Sequence, residues 1–196
     1  MEHIVLASES ERRQEYFKLL GLPFSCIPSL ADETLASGMA INDAVEDLAR
    51  RKAGKVAEML KNSSAPLWVA GADTVIALEE KVYGKPQNRE DAGRMLRTFQ
   101  GREHQVITAL ALYNGRKNKI DSCSVSSRVV FSPLSSGEIE WYLDSGEWEG
   151  AAGAYKIQGL ASCFIAEIHG SFSSIVGLPL REFYAMLRDN GYPYGG

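Results

Sequence analysis

Cysteine is scarce in this sequence. The three that occur, Cys26, Cys123 and Cys163, stand far apart, form no CxxC pair and have no histidine at ligand spacing. That removes a structural zinc site and a disulfide framework from consideration, and leaves three reduced thiols of a cytoplasmic protein as the expectation. Long apolar runs are missing too. The first one, Ile4 to Ala7, is too short for a signal segment, and none approaches a membrane span, so a soluble chain with no export route and no membrane partner is expected. Nor is basic charge in excess: 21 Lys and Arg face 25 Asp and Glu, a formal net charge of −4. A nucleic-acid or membrane-surface binder would normally carry a net basic face, so any phosphate site here must be a local basic cluster. Internal repeats and low-complexity segments are absent as well.

What is present is a chain of 196 residues, 45% of them hydrophobic, enough to bury a full core as one domain or as two small lobes around a cleft. It opens with an apolar strand from Ile4 to Ala7, a polar turn at Ser8-Glu9-Ser10 and a helical pattern from Glu11 to Leu20 that stops at Gly21. A strand at Phe24 to Ile27 leads to a long amphipathic helix from Asn42 to Leu60, with Asn42 as its cap and Ser63-Ser64-Ala65-Pro66 as its stop. Leu67 to Leu78 reads as a buried strand, followed by a turn region and a helix from Arg89 to Phe99 between Asn88 and Gly101. Two long arms, Glu103 to Tyr113 and Ile120 to Phe131, meet at Asn114-Gly115-Arg116 as a hairpin. Ser135 and Glu138 have capping-box spacing at the head of a helix to Asp144. A Gly-rich stretch, strands near Ser162 to Ile168 and a closing helix from Pro179 to Asn190 complete the chain. Early alternation of helix and strand followed by hairpins points to an α/β fold with a mixed, elongated and curved sheet, flanking helices and two lobes around a central cleft.

Several residues are ill suited to structure alone. Arg12 and Arg13 open the first helix, where the dipole and the free N–H groups favour an anion. With the Ser8 and Ser10 hydroxyls they would make a phosphate cradle; otherwise they are a serine cap beside solvated arginines. Lys52 falls inside the apolar stripe Val45, Leu48, Ala49, Val56, Met59 and Leu60. It either snorkels to the edge or turns into a cleft to meet a phosphate, while Arg50 and Arg51 read as ordinary surface charges. Asp73 interrupts the most apolar strand of the chain. A buried carboxylate needs a metal ion, a cation or several donors, and the flanking Gly71 and Thr74 suggest close approach of a ligand. Lys85 in Gly84-Lys85-Pro86 could deliver a second ammonium to the same place. Glu33 could be a second metal carboxylate or an exposed loop acid, and His104 a catalytic base or a satisfied structural residue.

Taken together, seven ordered motifs resemble the Maf family over nearly the whole chain, as one domain from 1 to 196. They are Leu6-Ala7-Ser8-Glu9-Ser10-Glu11-Arg12-Arg13, Leu48-Ala49-Arg50-Arg51-Lys52-Ala53, Gly71-Ala72-Asp73-Thr74, Gly84-Lys85-Pro86, the segment Gly101 to Thr108, the segment Ala152 to Gly159, and Val176-Gly177-Leu178-Pro179-Leu180. The resemblance implies an ITPase/Maf-like fold, a homodimer, and hydrolysis of a nucleoside triphosphate between its α- and β-phosphates with Mg²⁺ or Mn²⁺. Asp73 matches the family's catalytic aspartate, with Asp73 and Glu33 as the metal carboxylates. Ser8, Arg13, Glu33, Lys52 and Lys85 match its polar cleft residues, and Arg12, Thr74 and Gln158 match the branch acting on dTTP and UTP. Two departures stand out: Glu11 replaces the usual proline, and Gly150-Ala151 stand where many members carry Asp-Lys. The alternative expectation is a nucleotide-binding regulator, for instance of cell division, with little catalysis. A serine hydrolase built on Ser8 and His104 lacks a GxSxG elbow.

Overall fold

Strand β1 (Ile4–Leu6) has a hydrogen-bonded neighbour on each side, which is why its three residues are all apolar and all buried. It runs parallel to β2 (Phe24–Cys26), with Ile4 opposite Phe24, and parallel to β3 (Trp68–Leu78), with Ile4 opposite Trp68. The computed structural model describes residues 1–62 and 67–194. Among them seven strands form one mixed sheet, ordered β2, β1, β3, β5 (Glu103–Asn114), β6 (Lys119–Phe131) and β7 (Ile165–His169), while β4 (Lys81–Tyr83) pairs with β3. This is the mixed α/β sheet with flanking helices that the sequence predicts. The chain divides into two compact units, one of Met1–Asp73, Thr108–Val125 and Gly177–Gly196, the other of Thr74–Ile107 and Ser126–Val176.

The first unit packs α1 (Glu11–Leu19), α2 (Ile41–Met59) and α6 (Leu180–Asp189) with its strands. Its core joins Ile4, Leu6, Phe17, Trp68, Leu110 and Phe183, each almost fully buried. Phe17 and Phe183 tie α1 to α6 with ring centroids 5.1 Å apart. Burial of side chains this large stabilises the unit by about 1.5–3 kcal/mol apiece. The cap of α2 differs from expectation: Ala40 occupies the cap position, and Asn42 lies inside the helix, its amide donating to Ser124 Oγ at 3.4 Å. The expected stop of that helix at Ser63-Ser64-Ala65-Pro66 lies outside the described residues.

Gly71 explains how closely α2 lies on β3. A Cβ at Gly71 would stand 2.5 Å from the Ala49 carbonyl oxygen and 2.8 Å from the Ala53 nitrogen. The neighbour that demands a glycine is therefore the helix backbone, not a ligand as the sequence suggested.

In the second unit, β4 returns antiparallel on the end of β3, with Ile76 opposite Tyr83. The two-residue turn between them, Glu79-Glu80, has both φ angles positive, 50° and 63°, the twist that a tight hairpin needs. Helix α3 (Arg89–Phe99) is capped by Asn88, whose side chain accepts from Asp91 N, and α4 (Ser136–Asp144) by the full Ser135–Glu138 capping box. Both match expectation. The Ser162 to Ile168 region begins not as strand but as a 3-10 turn, Leu160–Phe164, before β7, and a short α5 (Phe172–Val176) follows.

The core of this unit is aromatic. Phe99, Phe131 and Tyr155 enclose His104, with centroids 4.7, 5.1 and 5.6 Å from its ring. His104 is 2% exposed and its Nε2 meets Tyr155 Oη at 2.8 Å. Burial pushes its pKa from the usual 6.5 down to about 4, which fits the structural half of the two roles read from the sequence.

Two stability measurements follow from this packing. Gly71→Ala should lower the unfolding free energy by roughly 1–3 kcal/mol, because backbone and not a flexible side chain must give way. An unchanged urea midpoint would contradict the close approach. For His104, the folded pKa is depressed, so between about pH 6.5 and about pH 4 the unfolded chain takes up a proton that the folded chain refuses. Stability must therefore fall with pH across that window, by up to roughly 3 kcal/mol. Urea titrations at pH 7 and pH 4.5 should show a smaller acid loss in His104→Gln than in wild type, and equal losses would refute the assignment.

Candidate active site

Three segments of the first unit converge on one ammonium group. Lys52 lies in the buried stripe of α2, its side chain only 7% exposed, and its Nζ stands 2.7 Å from Asp73 Oδ1 and 2.7 Å from Glu33 Oε1. Of the two outcomes open to this lysine, the structure has the inward one. The close approach of α2 to β3 at Gly71 sets the distance, since Ala49 and Ala53 flank Lys52 while Asp73 lies two residues beyond Gly71. The Asp73 side chain is 14% exposed and that of Glu33 60%, so one carboxylate is enclosed and the other reaches in from a loop. An ammonium removed from water is tolerable here only because two carboxylates replace its hydration.

Beside this cluster stands the start of α1. Ser10 occupies the cap position but makes no side-chain cap hydrogen bond, and its N–H donates to Ser8 Oγ at 3.2 Å. Arg13 is buried. Its Nη1 donates to Ser8 Oγ at 3.0 Å and its Nε to the Gly177 carbonyl at 2.8 Å. Burial lowers the Arg13 pKa to about 10, with the Asp73 and Glu33 charges opposing that shift and the half-buried Arg12 adding to it. At neutral pH the group remains a fixed positive charge. The hydroxyl of Ser8 is thus engaged by Arg13 and Ser10.

The structure brings together Ser8, Ser10 and Arg13, and likewise Lys52, Asp73 and Glu33. Thr74 follows Asp73 in β3, half-buried, and is the first residue of the second unit, to which Lys85 and Gln158, both exposed, also belong. Glu11 is exposed in the first turn of α1, a favourable place for a carboxylate. Ala151 is fully buried, its N–H on the Trp148 carbonyl, so this position does not present a side chain to solvent.

Among the described residues no group of three or more His, Cys, Asp and Glu could hold a metal ion. Asp73 and Glu33 still offer hard oxygen donors around one point. Two carboxylates completed by water and phosphate oxygens suit Mg²⁺ and Mn²⁺, which seldom take an all-protein cage.

Sequence reasoning passed over one residue that shapes the cluster. Arg51, read as a surface charge, donates from Nε to Asp47 Oδ2 at 2.8 Å, from Nη1 to the Asp32 carbonyl and from Nη2 to the Thr34 carbonyl at 2.9 Å. Those two carbonyls flank Glu33, so one guanidinium fork fixes the loop that carries it. Only the i, i+4 pairing of Asp47 with Arg51 was visible beforehand.

A family profile described as "Maf-like protein" matches residues 3–190. The chain is 43% identical over 192 residues to a protein of Pelotomaculum thermopropionicum named dTTP/UTP pyrophosphatase, covering 98% of each. It is 42% identical over 188 residues to a protein of the same name from Desulforamulus reducens, covering 96% of each. A solved structure, that of the Staphylococcus aureus Ham1 protein, is similar only at 14% identity and a TM-score of 0.42, over 66% of this chain and 72% of that one, too slight a likeness to inform the site. The profile runs from just before β1 to the end of α6 and so takes in every segment of the Lys52, Asp73 and Arg13 cluster: the chain belongs to the Maf family.

Proposed function

We propose that this protein hydrolyses dTTP and UTP, or modified pyrimidine nucleoside triphosphates, to the monophosphate and pyrophosphate. The observation that carries the reading is the Lys52 ammonium held at 2.7 Å from both Asp73 and Glu33, beside the fixed charge of Arg13. The names of relatives about 40% identical over nearly the whole chain support it.

Water attacks the α-phosphorus, the bond to the bridging oxygen breaks, and pyrophosphate leaves with that oxygen. Asp73 orients the attacking water and, with Glu33, would hold a divalent cation, Mg²⁺ or Mn²⁺. When bound, such a cation would supply Lewis-acid polarisation of the phosphates and neutralise their charge. Lys52 fixes the geometry of the two carboxylates in the resting protein and offers its ammonium to the leaving pyrophosphate, together with Arg13, and Lys85 is a further cation proposed for the phosphates. The open start of α1, with Ser8, Ser10 and Arg12, presents N–H and hydroxyl donors to phosphate oxygens. Thr74 and Gln158 supply hydrogen-bonding groups for a pyrimidine edge. Positioning and electrostatics of this kind account for most of the acceleration in phosphoryl chemistry. Among the described residues no helix is long and apolar enough to cross a membrane. A cytoplasmic location and a homodimeric assembly complete the proposal.

The test is pyrophosphate release from a panel of nucleoside triphosphates with Mg²⁺, with Mn²⁺ and with a chelator. Wild type should favour dTTP and UTP and stop in the chelator, and Asp73→Asn should lose roughly 100-fold or more in turnover. Near-normal turnover by Asp73→Asn in the presence of metal would sink the assignment.

A further inference from the structure

Gly159 poses a question that backbone geometry does not answer. Its φ is −114°, outside the left-handed region that calls for glycine, and yet a Cβ there would stand 2.1 Å from Glu147 Oε2 and 2.5 Å from Glu147 Cδ. With glycine at this position the Glu147 carboxylate lies directly against the backbone. Glu147 in turn is surrounded by donors: Tyr142 Oη donates to Oε1 at 3.0 Å, Leu160 N to Oε2 at 2.9 Å and Ala161 N to Oε1 at 3.3 Å. Tyr142, fully buried, also accepts from Lys156 N at 3.3 Å, and Gly159 N closes back on the Lys156 carbonyl at 3.0 Å. The Tyr142–Glu147 pair therefore grips the chain at Lys156 and at Leu160, two residues to either side of Gln158, whose own side chain is exposed.

We propose that Glu147 is the positioning residue that sets the pose of Gln158, and through it the base preference of the enzyme. This rests on the reading of Gln158 as a residue that meets the pyrimidine. The chemistry of the pocket specifies a carboxylate. All three neighbours of Glu147 are donors, and a glutamine would keep the shape but turn an NH₂ toward at least one of them, leaving a partly buried N–H or O–H without an acceptor. The Glu147 carboxylate is taken up by Tyr142, Leu160 and Ala161. Its effect falls on where Gln158 stands, and a displacement of a fraction of an ångström at a base-reading amide weakens discrimination more than it slows turnover of a well-held substrate.

The experiment measures kcat and KM for UTP, dTTP, CTP and GTP with metal, in wild type, Gln158→Ala and Glu147→Gln, with thermal midpoints alongside. Glu147→Gln should flatten the preference for UTP over CTP and GTP by roughly tenfold, mostly through KM and in the direction set by Gln158→Ala. A role confined to stability would lower the thermal midpoint and leave that ratio alone. The second arm approaches from the opposite side. Gly159→Ala should flatten the preference in the same way, and the double variant Glu147→Ala/Gly159→Ala should cost less than the sum of its singles, since the atoms that clash are gone. Selectivity kept by both Glu147→Gln and Gly159→Ala while Gln158→Ala loses it would overturn the proposal and leave the base-reading role of Gln158 standing. A wild type with no pyrimidine preference would instead remove that role, and this inference with it.

Discussion

Everything about the charged cluster of the first unit depends on one buried ammonium that needs two carboxylates. Lys52 cannot occupy the interior stripe of α2 unless its charge is met there, and Asp73 cannot interrupt β3 unless a cation meets it. Each solves the other's problem, at 2.7 Å. Glu33 supplies a second counter-charge from a loop, and its placement is secured by Arg51 gripping the carbonyls on either side. Gly71 belongs to the same chain of causes: without its missing side chain α2 could not lie close enough to β3 for the pair to form. The arrangement is a set of charges balanced against each other inside the first unit.

The two units use different means to reach order. In the first, hydrophobic burial in an α/β layer supports a charged cluster, with Arg13 held by a backbone carbonyl and the Ser8 hydroxyl so that its charge cannot swing into solvent. In the second, an aromatic box keeps His104 neutral and a carboxylate surrounded by donors shapes the Lys156 to Leu160 turn. The chain passes from one unit to the other at Asp73/Thr74, Ile107/Thr108, Val125/Ser126 and Val176/Gly177. Neither unit is thus a continuous stretch of sequence.

Much of this was legible beforehand for physical reasons. A charge inside an apolar period is conspicuous, so Lys52 and Asp73 stood out as residues in need of partners, and the caps at Asn88 and Ser135 follow from local hydrogen-bonding chemistry. What stayed hidden depends on contacts distant in sequence or on unusual backbone. Strand β4 was missed because Glu79 and Glu80 both adopt positive φ without the Asn or Gly that normally announces such a turn. Gly71 was rightly seen as marking a close approach, but sequence could not say that the approaching group is α2. Arg51 gave no sign of gripping a loop 17 and 19 residues earlier, and Asn42 looked like a cap although the helix starts before it. Glu147 drew no notice, since nothing in the sequence of a turn tells which carboxylate will fill the space beside a glycine.

The central claim is that the ammonium between Asp73 and Glu33 serves the reaction and not merely the fold. Its most direct test is pyrophosphate release by Lys52→Met, a variant that keeps the apolar stem and removes the charge, measured with metal and dTTP on protein shown to be folded by circular dichroism. The expected result is a folded protein whose turnover falls by roughly 100-fold or more. Turnover within a few-fold of wild type would mean that Lys52 only neutralises its neighbours and that the reaction centre lies elsewhere.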